Sequence, residues 1–524
     1  MLKIISNVIK KRLLIIFLRL LIVFTTKGFV FQKSNILSQN SQIILPFMQE
    51  NRIPSPLISF VPLLILVALL SVTIYTFGDG ALSGGSQICL LVSSAVCATI
   101  GMWRYGIAWK TFEHAIEQNV KRVTEAVFIL LVIGALSGIW MVSGIVPSMI
   151  YYGLQLIHPS FFLITSCVIC AIVSVMTGSS WTTVATIGVA LIGIGQAQGF
   201  SEGWVAGAII SGSYFGDKMS PLSDTTVLAS STVGVRLFTH IRYLVYTTIP
   251  ALFLALMVYL VAGFSLSSGT DTSIEMYASA LSAKFDITLW SLVVPALTAF
   301  MIYKRVPSLI TLFLSALMAA VYGMLFQTDV LLEVAGTDAG PLALFKGTMQ
   351  TVFGATQLEM GSAPLNDLVS TGGMSGMMDT IWLILCAMCF GGVMESGGFL
   401  AGISRVFLRF VRKTVSLVSS TVASGVLFNL VTADQYISII LTGNMFKQTY
   451  HDQGYEARLL SRTTEDAVTV TSPLIPWNTC GMTQATVMGV STWTYLPYAV
   501  FNYLCPLFSI VVAATGFRIL KKRQ

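Results

Sequence analysis

Apolar runs near 20 residues long recur along almost the whole chain, and no other feature restricts its fold as tightly. Segments 56–77, 81–103, 123–143, 242–264, 287–303, 307–326, 378–400 and 497–517 approach the roughly 20 helical residues that cross a hydrocarbon core about 30 Å thick. They lack the two-residue alternation of a transmembrane strand, and a helix satisfies its own backbone hydrogen bonds where water is absent. Composition points the same way: 55% of the 524 residues are hydrophobic and 10% charged, with a mean hydropathy of +0.80. A soluble domain carries about 25% charged residues. The expected class is an all-α integral membrane protein.

The formal charge of +7 does not argue for a nucleic-acid partner, because the basic residues sit in short loops rather than on a basic surface interleaved with aromatics. They read as topology signals. Most of the eight cysteines lie inside apolar runs. Cys167/Cys170 and Cys386/Cys389 have CxxC spacing, yet no His or further Cys stands nearby to complete a metal site. Residues 1–52 form a basic extension whose apolar stretch 13–25 is short, carries Arg19 and lacks a small-residue cleavage site. An amphipathic extension or an upstream start is expected there rather than a crossing.

Two regions, 161–231 and 414–490, do not parse as simple spans. Both are interrupted by Gly, Ser, Thr, Pro and acids, and such backbone is tolerated at membrane depth only where protein buries it or it lines a watery cavity. The regions echo one another. Ser220-Pro221-Leu222 recurs at Ser472-Pro473-Leu474, and Tyr243 and Tyr246 recur at Tyr495 and Tyr498, both 252 residues on. Ser143-Gly144 recurs at Ser396-Gly397, 253 on, and Thr177 at Thr432, 255 on. A shared order at near-constant offset indicates an internal repeat.

Loop charge orients the two copies. With 104–122 cytoplasmic, 123–143 runs outward; the basic loop Arg405, Arg409, Arg412, Lys413 makes its counterpart 378–400 run inward. The repeat is therefore inverted. Segments 161–196 and 414–446 are expected to turn back as re-entrant hairpins with tips at 177–183 and 432–436, which keeps Lys447, Arg458 and Arg462 inside and the acidic stretch 196–202 outside. An interrupted helix follows each hairpin, at 204–231 and 459–490. The plan has about ten crossings plus two hairpins. Its parts are the extension 1–52, two spans and a cytoplasmic loop at 53–122, repeat one at 123–264, linking spans and outer loops at 265–377, repeat two at 378–517, and a tail at 518–524. Both termini are expected in the cytoplasm, with Lys521, Lys522 and Arg523 in the tail.

In inverted repeats, substrate and ion sites gather near the midplane, where broken helix ends and unwound carbonyls face one another. The stretch GDKMSPLSDTT embeds Asp217, Lys218 and Asp224 in apolar sequence. A charge at a helix centre costs about 2.5 to 3.5 kcal/mol, so each needs a partner, a cavity or a bound ion. Pro221 breaks the helix and frees carbonyls, while Ser220, Ser223, Thr225 and Thr226 add oxygens that suit a hard cation such as sodium. A plainer reading makes Asp217 and Lys218 a charge pair at a membrane boundary. The second interrupted helix supplies Glu465, Asp466, Ser472, Asn478 and Thr479. Glu465 and Asp466 either join the site or pair with Arg458 and Arg462 near the cytoplasmic end.

At the 252-residue offset Asp217 faces Thr469 and Asp224 faces Pro476, so the two halves are chemically unequal. The first hairpin tip offers Ser179, Ser180, Thr182 and Thr183, hydroxyls that tight turns also favour; the second offers Asp434 beside Thr432, and Trp181 and Tyr436 hold equivalent places. Glu395, in GGVMESGG, is a candidate proton relay. Asp79 is expected to be solvated at a span boundary, and His114, His158, His240 and His451 to lie in loops or interfaces.

No HExxH, GxSxG, Walker A or strand-borne GxGxxG motif is present, so neither an enzyme nor a nucleotide-driven pump is expected. Transport would then run on gradients. The runs TGSSWTTVATIGVALIGIG, GDKMSPLSDTTVLAS, TADQYISIILTGNMFKQTYHDQG and TTEDAVTVTSPLIPWNTCG resemble the NhaC family of bacterial sodium/proton antiporters, over roughly 53 to the C-terminus. The resemblance implies a secondary antiporter of the cytoplasmic membrane that exchanges sodium, or lithium, for protons by alternating access at embedded carboxylates, without a cofactor. Its implied partners are Na+, H+ and the bilayer; a homo-oligomer is compatible with it. The family is also similar to exchangers of malate for lactate coupled to sodium and protons, which leaves the substrate open.

Overall fold

The computed structural model describes residues 54–77, 84–266, 271–336, 340–409, 411 and 413–519. The extension 1–52, Asp79, Arg412 and the terminal Lys521-Lys522-Arg523 lie outside those residues. Every regular element among the described residues is helical, apart from one isolated bridge between Thr356 and Thr371. Among the described residues, nine helices are long and apolar enough to cross a membrane, or up to eleven when each bent pair counts as one span. Their outer faces are apolar: on Leu237–Leu266, for example, Ile249, Phe253, Val261 and Phe264 are all exposed. Such a face is stable against lipid and costly against water, so the protein is an all-α, multi-pass membrane protein.

Three segments differ from the sequence reading. The charged stretch 104–122 is not a loop: most of it belongs to one 34-residue helix, Trp109–Val142. At 1.5 Å per residue this helix is about 50 Å long and projects well beyond a hydrocarbon core. Its polar first half therefore reads as non-spanning although its backbone is continuous. The segment 327–377, expected as an outer loop, contains helices Thr328–Ala335, Pro341–Phe353 and Ala363–Val369, of which the second packs on Trp109–Val142. The run 287–303 is too short to count as a span by itself: its helical part, Leu289–Tyr303, meets Ile274–Lys284 at 90°.

Segment Pro159–Ala197 doubles back at Gly178. Its two ends meet, since the rings of Phe162 and Phe200 stack at 5.5 Å and Gln198 Nε2 donates to Ile157 O at 2.8 Å. Helices Thr414–Thr432 and Gln435–Asp452 double back in the same way, closed at their open end by Thr414 Oγ1 and Tyr455 OH at 2.5 Å. Each hairpin is followed by a broken helix. The first is Glu202–Met219 and Asp224–Val233, parted at Ser220 and Pro221; the second is Ala457–Ala467 and Thr479–Met488, parted by a stretch with Pro473 and Pro476. Proline removes a donor and blocks continuation at both breaks.

The broken helices run in opposite senses. Trp204, at the start of the first, packs on Tyr498 beyond the end of the second, with ring centroids 4.6 Å apart. Arg462, near the start of the second, lies over the ring of Tyr243 beyond the end of the first, at 4.7 Å. The long helix Trp109–Val142 and its counterpart Met378–Ser396 pack together beside this pair as a scaffold.

The structural register of the repeat is 255 residues. Gly199 and Gly454 turn the chain into the broken helices, Ser223 and Asn478 cap their second halves, and Gly234 and Gly489 end them in the left-handed region. The SPL identity, at 252, is thus out of step by three. Asp217 corresponds to Ser472 and Asp224 to Thr479, rather than to Thr469 and Pro476.

Candidate functional site

The hairpin tips are built alike. Thr177 Oγ1 bonds Ser179 O and Thr183 Oγ1 at 3.1 and 3.3 Å; Thr432 Oγ1 bonds Asp434 O and Ser438 Oγ at 3.0 and 2.8 Å. Each tip turns through a left-handed residue, Gly178 at φ +68° or Ala433 at φ +55°. The next residue caps the returning helix: Ser179 Oγ accepts from Thr182 N, and Asp434 Oδ1 from Ile437 N. Capping satisfies a donor that a helix start leaves open. A π turn, Val184–Gly188, follows the first tip, a distortion frequent at functional sites.

Each tip is hydrogen-bonded to the adjacent break. Ser180 donates to Asp217 Oδ2 from its N at 3.1 Å and its Oγ at 2.7 Å. At the equivalent place, Ser472 Oγ donates to Gln435 Oε1 at 3.3 Å. Asp434 Oδ2 accepts from Thr479 Oγ1 at 3.3 Å, and Thr479 N donates to Ala433 O at 2.8 Å. The acid therefore sits on the broken helix in repeat one and on the hairpin in repeat two, each met by a hydroxyl of the other element. Asn478 Oδ1 accepts from Cys480 N, while its Nδ2 ties the break to Asn429 O at 3.1 Å.

A second cluster lies where the broken helices cross. Lys218 Nζ forms an ion pair with Asp466 Oδ1, and both side chains have no exposed surface. Thr247 Oγ1 donates to the same carboxylate oxygen at 3.1 Å, and Cys505 Sγ lies 2.9 Å from Nζ. Arg462 Nε stands 3.8 Å from Asp466 Oδ2, one helical turn away. Thr225 and Thr226 bring their hydroxyls to 3.4 Å from Glu465 Oε1, whereas Glu465 Oε2 has no hydrogen-bond partner. Asp217, Glu465 and Asp466 are buried in the same region as Lys218 and Arg462, both of which pair with Asp466, so these five groups when ionised hold one more negative charge than positive. Such an imbalance is expensive away from water and favours uptake of one proton or one monovalent cation.

The structure brings some sequence candidates together and separates others. Lys218 pairs with Asp466, not with its neighbour Asp217. Arg458 pairs with Glu456 at 2.5 Å, so only Arg462 of the two arginines reaches Asp466. Asp224 is exposed, in the first turn of its helix, behind the cap that Ser223 Oγ makes to Thr226 N. Ser220 Oγ donates to Val175 O at 2.8 Å, and Ser223 shares a hydrogen bond with Thr225. Thr182 and Thr183 bond within the tip, to Ser179 Oγ and Ser179 O. Glu395 lies apart, on the scaffold, 3.6 Å from Arg122.

His240 is not in a loop. It is fully buried in Leu237–Leu266 and its Nδ1 meets Ser461 Oγ at 2.9 Å. The sequence reading also missed Thr247 and Cys505. Both sit in apolar runs with no local pattern, and only the partner 219 or 39 residues distant gives them a role.

Comparison with known proteins bears on the same regions. The model of the Na+/H+ antiporter family matches twice, over residues 4–232 and 212–517. The first match reaches into 1–52, which the resemblance had left out. The malate-2H+/Na+-lactate antiporter of Bacillus subtilis is 35% identical over 90% of this chain and 96% of its own length. The Na+/H+ antiporters NhaC of Alkalihalophilus pseudofirmus and Bacillus subtilis are each 34% identical, covering 84% and 81% of this chain and 92% and 91% of their own. With matches across both broken helices and both hairpins, the chain belongs to the Na+/H+ antiporter family.

Proposed function

We propose that this chain exchanges sodium for protons across the bacterial cytoplasmic membrane, with Asp217 and Glu465 as the groups that bind the two ions in turn. The observation that carries the reading is the uncompensated negative charge at the crossing of the broken helices. A carboxylate can be neutralised by a proton or coordinate a cation, and alternating access turns that competition into exchange. Lys218 and Arg462 flank Asp466 as a fixed part of the site, while the free oxygen of Glu465 and the hydroxyls of Ser180, Thr225 and Thr226 provide hard oxygen ligands. Asp434, with Thr479 and Asn478, forms a separate buried carboxylate in repeat two. Lysine and arginine placement supports a cytoplasmic location for both termini, and the two family relatives named NhaC support the ion pair transported.

The test is collapse of a preset proton gradient in inverted membrane vesicles on addition of sodium, lithium or potassium. Sodium is expected to collapse it, and Asp217→Asn or Glu465→Gln protein of normal abundance to fail. Normal exchange with unchanged apparent sodium affinity in both variants would remove these residues from the mechanism.

Carboxylate exchange is a second reading, favoured by one observation: fully buried Arg462 has no hydrogen bond on any guanidinium nitrogen. Arginine is suited to bidentate recognition of a carboxylate. Labelled malate uptake driven by sodium and proton gradients would support it, and none under any gradient would end it.

A further inference from the structure

Because the two repeats share one register, the same helix can be seen twice in two surroundings. Thr479–Met488 and Asp224–Val233 are equivalent, yet they are packed differently. Thr479–Met488 is buried along its length apart from half-buried Thr486. It packs on the first hairpin and on both scaffold helices. Thr486 Oγ1 meets Thr380 Oγ1, buried at the start of Met378–Ser396, at 2.5 Å.

Asp224–Val233 instead packs on the second hairpin and the second broken helix. Asp224 and Ser231 are exposed, with Val227, Leu228 and Thr232 half-buried along one stripe. Lipid against the carboxylate at the head of this stripe would cost about 2.5 to 3.5 kcal/mol, which argues for water there. The second hairpin borders the same space: Lys447 Nζ donates to Thr232 O at 3.2 Å.

The scaffold can be put in register too. Gly144 and Gly398, both at φ +74°, follow the ends of Trp109–Val142 and Met378–Ser396. Counting back from them, Ala126 takes the place of Thr380, and Ser231 takes the place of Thr486. We infer that Thr380–Thr486 is one of two alternating latches, and that Ala126 and Ser231 close against each other as the second when the first opens. The structure is then the state sealed at Thr486 and open at Ser231. The inference rests on the transport reading but not on which solute is carried.

Two measurements test it in vesicles of both orientations. First, Ser231→Cys is expected to react with a water-soluble maleimide roughly tenfold faster than Thr486→Cys, reflecting a population biased toward this state. Second, Thr380→Cys/Thr486→Cys and Ala126→Cys/Ser231→Cys proteins are oxidised while the transporter cycles with sodium or malate, and linked peptides are read by mass spectrometry. Hydroxyls 2.5 Å apart bring the first pair within disulfide reach. Both links are expected to form, and each to stop exchange until reductant is added. Equal labelling of the two single variants would overturn the inference, as would absence of the 126–231 link under conditions that form the 380–486 link. Neither outcome depends on the identity of the ions exchanged.

Discussion

Lys218 in the first broken helix and Asp466 in the second form an ion pair with no exposed side-chain surface, joining the two repeats where they cross. Removing one partner of a buried pair strands the other charge, a cost of about 3 to 5 kcal/mol. Lys218→Met and Asp466→Asn are therefore expected to lower the unfolding midpoint of the detergent-solubilised protein and its membrane abundance. The double variant Lys218→Met/Asp466→Leu should recover much of that loss without recovering exchange. Equal stability of the single and double variants would show that the pair does not act as a unit.

Asp217 and Glu465 differ from that pair in forming no ion pair among the described residues. Neutralising either lowers the excess charge of the cluster, so Asp217→Asn and Glu465→Gln are expected to keep or raise thermal stability while sodium-driven proton movement falls by roughly a hundredfold or more. Gradient collapse, paired with melting curves on the same preparations, checks both halves. Loss of stability in step with loss of exchange would mean that these acids hold the fold rather than the ions.

Much of the architecture was legible because lipid imposes it. Hydropathy located most of the spans, and the Thr177/Thr432 match located two tips whose hydrogen bonds are the same. The register was harder, because a three-residue identity, SPL, is a weaker constraint than the caps at Ser223 and Asn478 that define it. Pairing was not legible at all. Lys218 and Asp466 lie 248 residues apart, and nothing near Lys218 in sequence favours Asp466 over the adjacent Asp217. The helical character of the charged stretch before Val123 was hidden for a different reason: hydropathy reports depth in lipid, not backbone conformation, and this helix continues past the membrane.

Asp224 supplies a contrast with the buried acids. It is exposed in the first turn of its helix, where a negative charge gains about 0.3 to 1 kcal/mol from the helix dipole. Asp224→Asn is expected to leave maximal exchange within a factor of about two, with a modest rise in the sodium concentration needed for half-maximal rate. Complete loss of exchange in a well-expressed Asp224→Asn protein would place this residue among the ion ligands.

The two hairpin tips predict unequal tolerance to the same kind of change. Gly178 stands at φ +68°, and a Cβ there would lie 2.7 Å from Leu222 C and 2.9 Å from Ser223 N, both backbone atoms of the adjacent break. Backbone cannot step aside as a side chain can, so Gly178→Ala must push the tip away from the break. It adds a left-handed conformation that costs a residue with a Cβ about 1 to 2 kcal/mol. The tip carries Ser180, whose two hydrogen bonds hold Asp217, so displacement should loosen that carboxylate and lower exchange more than abundance. Ala433, at φ +55°, already carries a Cβ in the same conformation. Ala433→Gly therefore relieves strain and keeps the bond from Thr479 N, with exchange expected near the unmodified level. Measuring both variants for gradient collapse and melting temperature separates tip position from tip strain: equal losses in the two would mean that the break does not depend on how closely the hairpin approaches it.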